Sequence, residues 1–162
     1  MKKIICTTAL SFMLVNAALA VTNDQVLANE VDSSISVNPI TGEKGEVRNG
    51  TLAATMVNAV EIGKLLSKVQ LTQEEFKQFE ELENQQKELI PYAKLTGIYD
   101  FFTVDEWMSD KSNLGRLYTG LLALERFPEL LTKERKTFLK RVAKKTPNPQ
   151  IKAKIKVLTS KK

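Results

Sequence analysis

Three carboxylates, Asp100, Asp105 and Glu106, stand close together in the chain and beside Tyr99, Phe101, Phe102 and Trp107. Two acids in an aromatic-lined cleft are the apparatus of glycan cleavage. One protonates the leaving oxygen, and the other activates water or attacks, at a separation of about 5–9 Å. The edge of an aromatic core contains the same residues, and that plainer reading is preferred. Other chemistries fall away on composition. The 162 residues include no His and a single Cys, Cys6, so Ser-His-Asp and Cys-His nucleophiles, zinc-thiolate sites and intrachain disulfides are excluded. Ser67-Lys68 and Ser109-x-Lys111 are formally Ser-Lys pairs, but adjacent helical residues do not face each other and neither fits a Ser-x-x-Lys motif. Glu80-Glu81-x-Glu83 and Asp105-Glu106 lack the spacing of a calcium loop. Gly42, Gly45 and Gly50 lie near Lys44 without the Gly-Lys-Ser/Thr of a phosphate loop. The expectation is a protein with no catalytic residue, no metal and no cofactor.

What remains is charge. Residues 21–132 hold 10 Lys+Arg and 18 Asp+Glu, a net of −8, whereas residues 133–162 hold 12 Lys+Arg and only Glu134, a net of +11. The block could be neutralised by the acidic stretch containing Glu74, Glu75, Glu80, Glu81, Glu83 and Glu88, or it could serve as a docking surface for an anionic partner. On the second reading the candidate contacts are Lys140, Arg141, Lys144, Lys145, Lys152 and Lys156, together with the aromatic residues Tyr99, Phe102 and Trp107. Trp107 is a partner contact if exposed and a core anchor if buried, and burial is the preferred outcome. Nucleic acid suits the charge but not the compartment, and no basic-aromatic interleaving supports base stacking.

The compartment is read from residues 1–20. Lys2 and Lys3 precede an uncharged apolar stretch that ends at Ala18-Leu19-Ala20, the form of a cleaved bacterial secretory signal with cleavage after Ala20. Cys6 opens that stretch instead of following it, which argues against lipidation, and is removed with it. No later stretch is long and apolar enough to span a membrane, so a soluble periplasmic or secreted protein is expected.

The elements that would position these residues follow from periodicity. Residues 21–50 are polar and turn-rich and are expected to form a partly mobile arm, with Ile35 and Val37 suited to a short strand. Residues 51–162 are expected to form a single helical domain with its Lys-rich end at 133–162. Leu52, Met56, Ala59, Val60, Gly63 and Leu66 mark one apolar face. Thr72 and Glu75 form a capping box, with Leu71 and Phe76 at staple spacing. Phe76, Phe79, Leu82, Leu89 and Ile90 continue that helix, interrupted by Gln86 and ended by Pro91. A further segment spans Tyr92–Phe102, and Thr103 with Glu106 repeats the capping box ahead of Trp107 and Met108. Helices then follow through Leu114–Glu125, after Thr132, and after Asn148-Pro149. The alternation Ile151-Lys152-Ala153-Lys154-Ile155 also suits a Lys-studded edge strand, but the Asn-Pro start favours a helix with Ile151, Ile155 and Leu158 inward.

The sequence therefore implies an all-α fold, a small bundle or short stack of about six helices behind a turn-rich arm. It implies a non-enzymatic envelope protein of the inhibitor, immunity or adaptor kind, whose partner is another protein or an anionic envelope surface. The alternatives are a carboxylate-dependent hydrolase or lyase acting on cell-wall glycan through Asp100, Asp105 or Glu106, and membrane-surface attachment by the basic C-terminal helix. The local reading has a direct test. Thr72→Ala should lower unfolding stability by about 1 kcal/mol, measured by urea titration, because it removes a cap; an unchanged midpoint would refute the capping box.

Overall fold

The computed structural model describes residues 33–109 and 113–160. The secretory signal at 1–20 and the part of the arm at 21–32 lie outside the described residues. Two antiparallel strands, β1 (Ser33–Val37) and β2 (Lys44–Arg48), precede seven α-helices: α1 (Thr51–Leu66), α2 (Gln73–Leu95), α3 (Ile98–Phe101), α4 (Val104–Ser109), α5 (Leu114–Arg126), α6 (Lys133–Lys145) and α7 (Pro149–Ser160). A 3-10 turn at Pro128–Leu130 joins α5 to α6. The all-α expectation holds, with a small hairpin added. Among the described residues, no helix is long and apolar enough to cross a membrane.

The hairpin belongs to the polar arm, and it is tied to the helices. Asn38 is buried. Its Nδ2 donates to the Lys94 carbonyl (3.0 Å) and to Asp100 Oδ2 (2.7 Å), while its Oδ1 accepts from the amides of Ile40 and Thr41. One amide side chain thus closes the hairpin turn and fastens it to the end of α2. Val47 is buried, whereas Ile35 and Val37 point to solvent.

Helix α5 is the centre of the fold. Its Leu117, Tyr118, Leu121, Leu122, Ala123 and Leu124 are all buried, so it is apolar on nearly every side, as a helix enclosed by others must be. Helices α1, α2, α4 and α7 pack around it. The α1–α5 crossing is unusually close. A methyl group on Gly115 would lie 1.8 Å from the Ala59 carbonyl oxygen and 2.8 Å from the Gly63 amide nitrogen. The two backbones therefore touch, and only glycine fits.

That crossing corrects half of the expected face of α1: Ala59, Gly63 and Leu66 lie inward as expected. Leu52, Met56 and Val60 face solvent, with Met56 60% and Val60 57% exposed, while Thr51, Ala54, Thr55, Asn58, Ala59, Ile62, Leu65 and Leu66 are buried. Around Ala59 the buried residues are small or polar because larger ones would hold the helices apart, and Ile62, Leu65 and Leu66 are buried beyond it. Gln86, read as an interruption of the α2 stripe, is fully buried in the same place. Its Nε2 donates to the Thr55 carbonyl (3.1 Å) and to Thr119 Oγ1 (3.2 Å), linking α2 to α1 and α5. Phe76, expected in the stripe, is 44% exposed.

Pro91 does not end α2. The helix runs through it to Leu95, forgoing the bond that a residue at 91 would donate to the Lys87 carbonyl. Ile90 and Ala93, on either side of it, are fully buried, and their packing outweighs the local preference. The end comes at Gly97, whose φ of +78° reverses the chain and whose amide donates to the Lys94 carbonyl. The Tyr92–Phe102 segment is thus divided between the last turn of α2 and the short α3. The four expected caps are present: Thr72 with Glu75, Thr103 with Glu106, Thr132 on the Arg135 amide and Asn148 on the Ile151 amide. Helix α7 buries Ile151, Ile155 and Leu158 as expected, and the edge-strand alternative is excluded.

Gly115→Ala should lower stability by about 3 kcal/mol or more, the upper end of overpacking costs. Gly120→Ala, whose added methyl meets the flexible Met108 side chain at 2.8 Å, should cost less. Equal losses in denaturant titrations of the two variants would contradict a backbone-limited crossing.

Candidate functional site

The three carboxylates singled out by sequence are each engaged in folding contacts. Asp100 Oδ2 accepts from Asn38, and Glu106 Oε2 accepts from the Thr103 amide (2.7 Å) and hydroxyl (2.9 Å). Asp105 receives both arms of Arg135, Nε to Oδ1 and Nη2 to Oδ2, each at 2.8 Å. That guanidinium holds the Asp105 carboxyl below its usual range and fastens the start of α4 to the start of α6. None of the three lines the groove described below.

The aromatic cluster divides. Tyr99 and Trp107 are buried with ring centroids 5.8 Å apart, and the Arg116 guanidinium lies 5.8 Å from the Trp107 ring. Burial pushes the Tyr99 phenol well above its ordinary value. Both residues are core anchors, the outcome preferred for Trp107. Phe102, which follows α3, is 50% exposed and is the member of the candidate trio that reaches solvent.

The basic block is only partly neutralised. Lys154, on α7, is taken up by the acidic body: its Nζ lies 2.7 Å from Glu83 Oε1 and 2.9 Å from Glu125 Oε2, while the Tyr118 hydroxyl donates to Glu83 Oε2 (2.8 Å). Burial alone would lower the Lys154 pKa and raise that of Glu83. The ion pairs outweigh it, leaving Lys154 above and Glu83 below their ordinary values. Arg135 is held by Asp105 in the same manner. In contrast, Lys140, Arg141, Lys144, Lys145, Lys152 and Lys156 are all exposed, and no carboxylate among the described residues pairs with them. Lys140 with Lys144 and Arg141 with Lys145 are one turn apart on α6, as Lys152 and Lys156 are on α7.

Sequence reasoning missed a groove beside these cations. It has a volume of about 620 Å3 and lies where the end of α1, the start of α5 and the α6–α7 junction meet. Its walls include Leu66, Leu114, Leu117, Phe138 and Val142, and its rim carries Lys68, Arg141 and Lys145. Two prolines, Pro147 and Pro149, prevent α6 from running on into α7. Between them Asn148 donates from Nδ2 to the Leu66 carbonyl (2.8 Å), fixing the junction to the end of α1. The Pro-Asn-Pro sequence was the visible signal, but its partner lies 82 residues away.

Compared with protein-family models, curated proteins and solved structures, the chain matches none of them.

The Lys154–Glu83–Glu125 cluster generates a prediction about stability. Lys154→Met should cost about 2 kcal/mol, below the 3–5 kcal/mol of a wholly buried pair, because these side chains keep some solvent contact. The lowered pKa of Glu83 means that its contribution is complete above its ordinary value and is lost as pH falls through the folded one. The melting temperature should therefore fall on acidification below about pH 4, and Glu83→Gln should flatten that dependence. A wild-type-like acid profile in Glu83→Gln would refute the assignment.

Proposed function

We propose that this chain is a non-enzymatic interaction protein of the cell envelope, of the inhibitor, immunity or adaptor kind, whose basic C-terminal helices dock on the acidic surface of a partner protein. The observation that carries the reading is the set of exposed cations on α6 and α7 with no carboxylate paired to them among the described residues. Where the acidic body could neutralise the basic end, it does so at Lys154 and Arg135 and leaves the outward side chains to solvent. Such an array draws an acidic partner into encounter and sets its orientation. Phe102, exposed at the end of α3, is proposed as a separate aromatic contact, in a segment anchored by the buried Tyr99 and Trp107. The engagement of Asp100, Asp105 and Glu106 in caps and cross-links favours binding over carboxylate-dependent hydrolysis. The envelope location rests on the signal-like residues 1–20.

The test is retention of partners from envelope extract on immobilised protein, at about 0.1 M and about 1 M salt, between which the screening length falls from about 10 Å to about 3 Å. A partner released by high salt, and lost from the charge-reversed variant Lys140→Glu/Lys144→Glu, is the expected result. Retention of the same proteins by the reversed variant would overturn the proposal.

A further inference from the structure

The groove at the α6–α7 junction has a chemistry of its own, although two of its residues, Arg141 and Lys145, also belong to the exposed cations of α6. Its volume of about 620 Å3 lies within the range of small-molecule sites, about 300–1,000 Å3. The cations on its rim are unequal. Lys68 is held by Glu75, whereas Arg141 and Lys145 have no ion-pair partner among the described residues, and no acidic residue lines the groove. Any occupant therefore meets uncompensated positive charge on one side.

The walls decide what kind of anion this is. The uncharged polar side chains lining the groove each make an internal hydrogen bond. Ser67 Oγ donates to the Gly63 carbonyl (2.7 Å), and Thr146 Oγ1 accepts from the Asn148 amide (3.3 Å). Asn148 uses Nδ2 on Leu66 and Oδ1 on the Ile151 amide (3.0 Å). A peptide laid here would bury its amide N–H groups in a groove with no carboxylate and few side-chain acceptors, which is costly. A hydrocarbon chain brings no such groups. A carboxylate head suits Arg141, whose planar guanidinium can meet both oxygens while Lys145, one turn on, adds charge.

We propose that this groove binds a single-chain anionic amphiphile, a straight-chain carboxylate, with its hydrocarbon along the accessible apolar side chains Val69, Leu114 and Phe138 and its head at Arg141 and Lys145. The occupant is free in solution, not a lipid held in a bilayer.

Calorimetric titration of the purified protein with octanoate, decanoate and dodecanoate, each below its micelle concentration, tests this. One equivalent should bind, and each added methylene should tighten binding about fourfold, the equivalent of about 0.8 kcal/mol per buried CH2. Dodecyltrimethylammonium should bind at least tenfold more weakly than dodecanoate. Arg141→Ala/Lys145→Ala changes two exposed residues, so it should keep its helical circular dichroism while losing at least tenfold in dodecanoate affinity. Lys77→Ala, on the outer face of α2, should match the wild type. Equal affinity for the cationic amphiphile, uptake of several equivalents, or an undiminished Arg141/Lys145 variant would overturn the proposal. So would binding to phosphatidylglycerol vesicles, or to an acidic peptide with an apolar anchor, in the absence of binding to dissolved dodecanoate. The titration contains no partner protein, so its failure is separable from failure of the docking proposal.

Discussion

The fold depends on two backbones being allowed to touch. At the crossing of α1 and α5, Gly115 lies against the Ala59 carbonyl and the Gly63 amide with no space for a methyl group. The close approach determines what the rest of the interface can be. Over the first half of α1 the inner face is small or polar, with Thr51, Ala54, Thr55 and Asn58 turned inward and Leu52, Met56 and Val60 turned out, while Ile62, Leu65 and Leu66 bury its second half. Polar groups brought into the interior then need partners. Gln86 reaches from α2 to Thr55 and Thr119, so that three helices share one hydrogen-bonded layer within an otherwise apolar core.

The electrostatic layout follows from the same packing. With α5 enclosed, the acidic α2 and the basic α7 both face it, and Glu83, Glu125 and Lys154 meet above Tyr118. Burial, joined by the nearby Glu83 carboxylate, raises the Tyr118 phenol well above its ordinary value, so it stays a hydrogen-bond donor. This contact is deep enough to fix the position of α7 but takes up only one of its lysines. The remaining positive charge lies outward on α6 and α7, where it is available for long-range attraction and contributes little to holding the domain together.

Features encoded within a few residues were legible in the sequence. The caps at Thr72, Thr103, Thr132 and Asn148 are contacts between near neighbours, and the structure has each of them. The strand at Ile35 and Val37 and the inward face of α7 were equally local. The failures are non-local. Nothing near Pro91 announces that Ile90 and Ala93 will be buried deeply enough to carry the helix past it. The apolar residues of α1 formed the more obvious face, and only the distant Gly115 shows why they lie outside. The candidate cations were found because charge runs stay at the surface. The groove between two of them was not, because its walls come from α1, α5 and α6 and no single stretch displays it.

The Asn148–Leu66 bond also constrains timing. It closes a loop across most of the helical domain, and the three aliphatics of α7 that follow it, Ile151, Ile155 and Leu158, are all buried. The core is incomplete until these three side chains are in place, since α5 and α6 would lack the surface that α7 covers. Long-range closure of this kind is slow compared with forming a helix. The two ends of the helical domain are therefore coupled: a chain in which α7 has not docked leaves its core open on one side.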